Sequence, residues 1–70
     1  MLLDAKVIGE RLKAERLKAG LKREDVAVAC GLSGSTVAMY ELGLRSPKDP
    51  AKCKLAQLFN TTVDALFFSP

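Results

Sequence analysis

Lysine and arginine are the residues in this sequence whose arrangement indicates a binding chemistry. Up to Arg23 there are seven basic side chains and three acidic ones, and from Arg45 onward there are four basic and two acidic. The segment between them, residues 24–44, carries three acids and no base. Cations grouped at two places are suited to neutralising the phosphates of a nucleic acid. The net charge of +3 alone is a weak indication, since many basic proteins bind no nucleic acid.

Catalytic and metal-binding chemistry finds no support in the residue types. The sequence has no histidine, and its two cysteines, Cys30 and Cys53, lack the close spacing of a zinc-binding pair. No nucleophile is spaced with a base, and no glycine-rich phosphate loop is present. We therefore expect a protein that is not an enzyme and holds no cofactor or metal. Both cysteines fall in apolar helical patterns, which predicts two buried free thiols.

The elements that must position the basic side chains are predicted to be five helices and no strands. Residues that start or end helices recur about every ten to fifteen positions, and apolar residues between them repeat at helical spacing. The predicted N-terminal caps are Asp4, Ser33, Asp49 and Thr62, with the second helix starting near Arg23. The predicted ends are Gly20, Gly31, Gly43 and Asn60. No segment alternates with period two for long enough to form a strand.

The length of 70 residues predicts one domain, spanning residues 1–70. A chain of this size buries a modest core, so a dimer partner would add stability. No apolar run is long enough to cross a membrane, and the start Met1-Leu2-Leu3-Asp4 is not typical of a signal peptide. We therefore expect a cytoplasmic protein.

Residues 23–42 have the pattern of two short helices joined by a tight turn. Gly31 provides a backbone conformation that side chains resist, and the small Ala27 allows the two helices to approach closely. Val37 is predicted to face inward and to fix the angle between them. This is the supersecondary unit of a DNA-reading helix-turn-helix.

The sequence resembles the Cro and phage-repressor family over residues 7–67. The matching stretches are Ile8-Gly9-Glu10-Arg11-Leu12, Arg16, Val26-Ala27, Gly31-Leu32-Ser33, Ser35-Thr36-Val37, Glu41, Gly43, Pro47, Leu55-Ala56 and Val63-Asp64-Ala65-Leu66-Phe67. The resemblance implies an all-α, compact five-helix repressor-like DNA-binding domain, with its helix-turn-helix formed by helices 2 and 3. It also implies that the third helix enters the major groove of DNA, while the ends of the second and fourth helices contact phosphates.

Two departures from the family pattern affect the predicted contacts. Lys22 and Arg23 stand where the family often has a capping Ser or Thr followed by Gln, and a basic pair can still reach phosphate. The outer face of the third helix is mostly apolar, where the family usually has Gln, Arg, Asn or Lys. The predicted base-reading residues are Gly34, Ser35, Ala38 and Met39. The predicted phosphate contacts are Lys22, Arg23, Arg45 and Lys48.

Two further pairs are singled out by their positions on helix faces. Arg16 and Glu41 each lie on the inward side of a helix, where a lone charge is costly, so we expect them to pair. The family resemblance implies the same pair. Phe67 and Phe68 point about 100° apart and cannot both enter a small core. We therefore expect the C-terminal aromatic pair to supply the dimer contact, although Phe68 could instead fold back over the domain.

Two functions from different classes fit these observations. The first is a sequence-specific double-stranded DNA-binding transcriptional regulator of phage or bacterial repressor type, acting as a homodimer on two half-sites. The second is a protein-interaction module on the same scaffold, such as an antirepressor or co-regulator. The flanking basic residues and the complete motif favour the first, while the acidic middle segment and the apolar Met39 and Leu42 favour the second. Neither function requires a membrane or a small-molecule substrate.

Overall fold

The computed structural model describes residues 4–69, so the ends of the predicted domain, residues 1–3 and 70, lie outside the described residues. The helices are α1 (Ala5–Lys18), α2 (Arg23–Cys30), α3 (Gly34–Glu41), α4 (Asp49–Leu58) and α5 (Val63–Phe67). Residues 4–69 contain no strand. The all-α, five-helix architecture predicted from the sequence is therefore confirmed.

Short-range hydrogen bonds start three of the helices at the predicted residues. The Asp4 carboxylate accepts from the Val7 N–H at 2.9 Å, the Ser33 hydroxyl accepts from the Thr36 N–H at 3.1 Å, and the Thr62 hydroxyl accepts from the Ala65 N–H at 3.0 Å. The predicted cap of α4 was wrong by one residue. Asp49 is the first helical residue, and Lys48 occupies the cap position without a side-chain hydrogen bond.

The core receives side chains from all five helices. Its buried members are Ile8, Leu12, Val26, Ala27, Cys30, Val37, Tyr40, Leu55, Leu66 and Phe67. Helix α3 packs against α1 and α2, while α4 packs against α2 and α5. This arrangement holds one face of α3 in the core and leaves its opposite face on the surface.

Two glycines allow α1 to cross the C-terminal end of α3 in direct backbone contact. A Cβ atom added at Gly9 would lie 2.6 Å from the backbone oxygen of Glu41, well inside contact distance. At Gly43, where φ is +75°, an added Cβ would lie 2.9 Å from the Cα of Lys6. Side chains at either position would push the two helices apart, so these glycines set the position of α3 relative to α1.

The C-terminal aromatic pair divides between core and surface. Phe67 is 1 % exposed and belongs to the core, whereas Phe68 is 37 % exposed. The expectation that only one of them can be buried is confirmed, but Phe67 as a dimer contact is wrong, because its ring is covered by the domain itself. Helix α5 is also held to α1 by Arg11, which donates to the Ala65 carbonyl oxygen at 3.1 Å.

The two cysteines also differ. Cys30 is buried in the core, as predicted, but Cys53 is exposed on α4, so the prediction for Cys53 was wrong. The apolar neighbours of Cys53 along the chain, Leu55 and Ala56, point inward instead. None of the helices within residues 4–69 has both the length and the apolar character needed to span a bilayer.

Candidate nucleic-acid interface

The turn between α2 and α3 fixes the direction of α3 relative to α2. Gly31 ends α2 with a left-handed φ of +66°, and the Leu32 N–H donates to the Ala27 carbonyl oxygen at 2.8 Å. Ser33 then caps α3 and also lies within hydrogen-bond distance of the Thr36 hydroxyl (2.8 Å) and the Ser35 hydroxyl (3.1 Å). The start of α3 is thus fixed by backbone and hydroxyl contacts in the turn itself.

The solvent-facing side of α3 is the one that the sequence predicted. Val37, Tyr40 and Glu41 are buried, whereas Ser35 and Met39 are exposed, Met39 by 40 %. Ala38 is partly buried between these two faces. A Cβ atom added at Gly34 would meet no atom within 4 Å, so the surface beside the start of α3 is open. The structure therefore brings Gly34, Ser35, Ala38 and Met39 together on the outward side of one helix.

The Glu41 carboxylate anchors the other end of α3 to both α1 and α2. The Arg16 guanidinium donates to it through Nε at 2.6 Å and through Nη2 at 3.2 Å, and Arg16 Nη1 donates to the Leu21 carbonyl oxygen at 3.0 Å. Arg16 and Glu41 therefore pair, as the sequence predicted. The hydrogen bonds to Glu41 raise the pKa of Arg16 above its ordinary value, against the opposing effect of burial. The buried pair fixes the orientation of α3 relative to α1.

Arg23 is a third member of this ionic cluster, which the sequence did not reveal. Its Nε atom donates to Glu41 Oε1 at 3.2 Å, while 43 % of its side chain remains exposed. Within residues 4–69 this is the single side-chain hydrogen bond of the Arg23 guanidinium. Arg23 can therefore hold Glu41 with one edge and present its outer nitrogens to an anion.

The four predicted phosphate-contacting residues lie on the surface, before and after the helix-turn-helix motif in the sequence. Lys22 and Arg23 lie at the start of α2, and Arg45 and Lys48 lie in the segment between α3 and α4; all four are exposed. Asp25 in the first turn of α2 accepts from the Lys22 N–H at 2.8 Å. The Asp25 carboxylate therefore already uses part of the positive end of the α2 dipole. An anion near this helix start would be attracted mainly by the basic side chains.

A family model described as a helix-turn-helix domain matches residues 7–66. The chain belongs to the helix-turn-helix domain family. Its sequence is 32% identical over 59 residues to the HTH-type transcriptional regulator ImmR of Bacillus subtilis (strain 168). These 59 residues are 84% of this chain and 46% of ImmR. The chain thus spans about half the length of the curated relative that it matches.

Two solved structures resemble this helix-turn-helix domain closely. The restriction-modification controller protein C.AhdI from Aeromonas hydrophila has 32% identity and a TM-score of 0.84, over 90% of this chain and 96% of that one. The hypothetical transcription factor NHTF from Neisseria has 22% identity and a TM-score of 0.83, over 100% of this chain and 85% of that one, and shows the fold alone. The similarity to repressor-type regulators noted from the sequence is confirmed.

Lys54 is a basic residue of this helix-turn-helix domain that the sequence reasoning missed. It lies on α4, and its Nζ atom is 3.7 Å from the position that a Cβ atom on Gly31 would occupy. Burial raises the pKa of the neighbouring Cys30 thiol, while the Lys54 charge opposes that rise. The sequence contained one indication of this position. Lys54 comes four residues after Pro50, so it lies on the same face of α4 as the start of that helix.

Proposed function

We propose that this helix-turn-helix domain is a sequence-specific, double-stranded DNA-binding regulator of transcription, of phage or bacterial repressor type. One observation carries the proposal. The outward face of α3 is fixed by the Arg16–Glu41 pair and is flanked by exposed basic residues at the start of α2 and in the segment before α4. An exposed helix with cations on the neighbouring segments is suited to a major groove bordered by phosphates.

The exposure of the side chains indicates which of them would contact bases and which would contact phosphates. Ser35 and Met39 would contact base edges, Gly34 would allow close approach of the backbone, and Ala38 would contact a thymine methyl group. Lys22, Arg23, Arg45 and Lys48 would contact phosphates. Because the reading face offers one hydroxyl and no bidentate group, sequence-dependent DNA shape would supply part of the specificity.

The descriptions of two relatives support this function. ImmR is an HTH-type transcriptional regulator, and C.AhdI is a restriction-modification controller protein. For the present chain we propose the same kind of role: binding in the cytoplasm, where its DNA would be, and no catalysis. We further propose a homodimer that places two copies of α3 on one face of the duplex, with the exposed Phe68 as part of the contact.

Selection of bound sequences from a random duplex pool at moderate salt tests the proposal. We expect one enriched motif with two half-sites, centred about 10–10.5 base pairs apart or a multiple of that spacing. The logarithm of the binding constant should fall with the logarithm of salt concentration, with a slope of about −4 per protomer if four phosphates are contacted. A pool without enrichment, bound equally at low and high salt, would exclude this function.

The apolar character of two exposed residues, Met39 on α3 and Leu42 directly after it, favours a second function as a protein-interaction module. In that case an antirepressor or co-regulator would bind another protein through this face. Apolar contacts of this kind weaken little as salt rises, whereas phosphate contacts weaken steeply. The salt titration therefore distinguishes the two functions with the same protein sample.

A further inference from the structure

Three hydroxyl groups form a short chain of hydrogen bonds at the start of α3. The Ser33 Oγ atom lies 2.8 Å from Thr36 Oγ1 and 3.1 Å from Ser35 Oγ, and it also accepts from the Thr36 N–H at 3.1 Å. Within residues 4–69, the Ser35 and Thr36 hydroxyls form no other hydrogen bond. We call these three side chains the hydroxyl chain. Ser33 lies in its middle, and Ser35, which is predicted to contact a base, lies at one end.

The protons of the hydroxyl chain allow only two directions of hydrogen bonding. A serine hydroxyl has one proton and two lone pairs. One lone pair of Ser33 is used by the Thr36 N–H, so one proton and one lone pair remain for the two neighbouring hydroxyls. Ser33 must therefore accept from one neighbour and donate to the other. Either Thr36 donates to Ser33 and Ser33 donates to Ser35, or both bonds run the opposite way.

The exposure of the two end residues favours the first direction. Each direction leaves one end of the hydroxyl chain with a proton that has no protein acceptor: Ser35 in the first, Thr36 in the second. Ser35 is exposed, whereas Thr36 is partly buried. An unpaired donor costs more where water has less access, so the free proton belongs on Ser35. Accepting from Ser33 also polarises the Ser35 hydroxyl and strengthens it as a donor.

We propose that Thr36 determines base preference through the hydroxyl chain, by holding Ser35 as a hydrogen-bond donor toward the major groove. This inference rests on the proposed function, in which Ser35 contacts a base edge. Guanine, adenine and thymine each present an acceptor in the major groove, whereas cytosine presents only its N4 amino donor. Beside cytosine, either the Ser35 proton or, after reversal of the hydroxyl chain, the Thr36 proton would lack an acceptor. Cytosine is therefore disfavoured at this position, and Thr36 acts there without touching a base.

Selection of bound sequences from a random duplex pool with the full chain and Thr36→Val tests this proposal. For the parent, we expect one of the four base pairs, the one that places cytosine beside Ser35, to be depleted at one position of each half-site. Valine keeps the branched shape of threonine without its hydroxyl, so Ser35 can then donate to Ser33 and accept from cytosine. Thr36→Val should therefore reduce the depletion about two- to tenfold. Thr36→Ser keeps a hydroxyl and should retain the depletion of the parent.

Ser35→Ala and Thr61→Val are the controls in the same selection. Ser35→Ala identifies the position, because it should remove the preference there. Thr61→Val makes the same chemical change between α4 and α5, outside the helix-turn-helix, and should leave the profile unchanged. Thermal unfolding of each variant checks that the fold is retained. The proposal is overturned if Thr36→Val keeps the full depletion, if Ser35→Ala changes no position, or if two base pairs are depleted there, since an acceptor-only Ser35 would disfavour both guanine and thymine.

Exchange of the hydroxyl protons with water in the free protein separates this proposal from the proposed function. By NMR at low temperature, we expect the Thr36 hydroxyl proton to exchange more slowly than that of Ser35, because Thr36 donates to Ser33. Slower exchange at Thr36 in a parent protein that selects no duplex sequence would support the direction of the hydroxyl chain and exclude the DNA-binding function. A parent protein that selects a DNA motif but exchanges its Ser35 proton more slowly would retain the function and overturn the proposal.

Discussion

The Arg16 Nε atom lies 2.6 Å from a carboxylate oxygen of Glu41, and this buried contact joins α1 to the end of α3. Replacing one partner leaves the other charge buried without its main compensation, which typically costs about 3–5 kcal/mol. We therefore expect Arg16→Met to lower the free energy of unfolding by about that amount in chemical denaturation. Lys13→Met, at an exposed position of the same helix, should change it by less than about 0.5 kcal/mol.

A double-mutant cycle separates this pair from its surroundings. Arg16→Met combined with Glu41→Leu replaces both charges with apolar groups, so the double variant should be more stable than the sum of the two single losses predicts. Strictly additive losses would mean that Arg16 and Glu41 do not stabilise each other.

The close crossing of α1 and α3 predicts different effects at two glycines. Gly9→Ala should destabilise the domain by about 1–3 kcal/mol, because the new methyl group would meet the backbone of α3. Gly34→Ala should leave stability unchanged or slightly raised, because nothing lies within 4 Å of the added atom. If Gly34 approaches DNA bases closely, Gly34→Ala should nevertheless weaken DNA binding. Equal stability losses at both positions would contradict this packing.

The two arginines proposed to contact phosphate should respond differently to truncation. Arg23→Ala removes a half-exposed hydrogen bond to the Glu41 carboxylate, which still accepts from Arg16, so it should cost about 1 kcal/mol of stability as well as DNA affinity. Arg45→Ala should cost DNA affinity alone, because Arg45 is exposed and forms no ion pair within residues 4–69. Each should reduce the salt slope by about one unit. A variant Arg45→Ala that loses sequence preference while keeping its salt slope would contradict the phosphate assignment.

The apolar reading face predicts that polarity at Met39 controls base preference. Met39→Gln adds an amide that can donate to and accept from base edges, so the preferred sequence should change more than the non-specific affinity. Ser35→Ala should relax the preference at one position of each half-site. Selection from a random duplex pool measures both effects. An unchanged sequence profile for the double variant would exclude α3 as the reading helix.

The two C-terminal aromatics predict separate outcomes for association and folding. Phe68→Ser should reduce cooperative binding to paired half-sites while leaving single-site binding and stability nearly intact, because Phe68 is partly exposed. Phe67→Ala should instead destabilise the domain by about 3–5 kcal/mol, since its ring is in the core. Undiminished cooperativity in Phe68→Ser would place the dimer contact elsewhere. In that event Phe68 would act within its own domain, where Lys52 Nζ already lies 4.9 Å from its ring centre.

Much of the fold was predictable because its signals are local. The caps Asp4, Ser33 and Thr62 bond to N–H groups three residues away, so residue type and spacing reveal them directly. The two faces of α3 follow in the same way from a rotation of 100° per residue. The same rotation, continued past Glu41, would place Leu44 on the inner face as well. Leu44 is exposed instead, because α3 ends at Glu41 and Gly43 changes the direction of the chain.

The sequence by itself determined the five helices, the outward face of α3 and the need of Arg16 and Glu41 for partners. Only the tertiary structure decided that Arg23 joins their pair, that Phe67 rather than Phe68 fills the core, and that Lys54 meets the end of α2. The physical reason is the range of the interactions. A cap or a helix face depends on residues within one turn, whereas these three outcomes depend on how whole helices rotate and dock, which is set by the combined packing of the core.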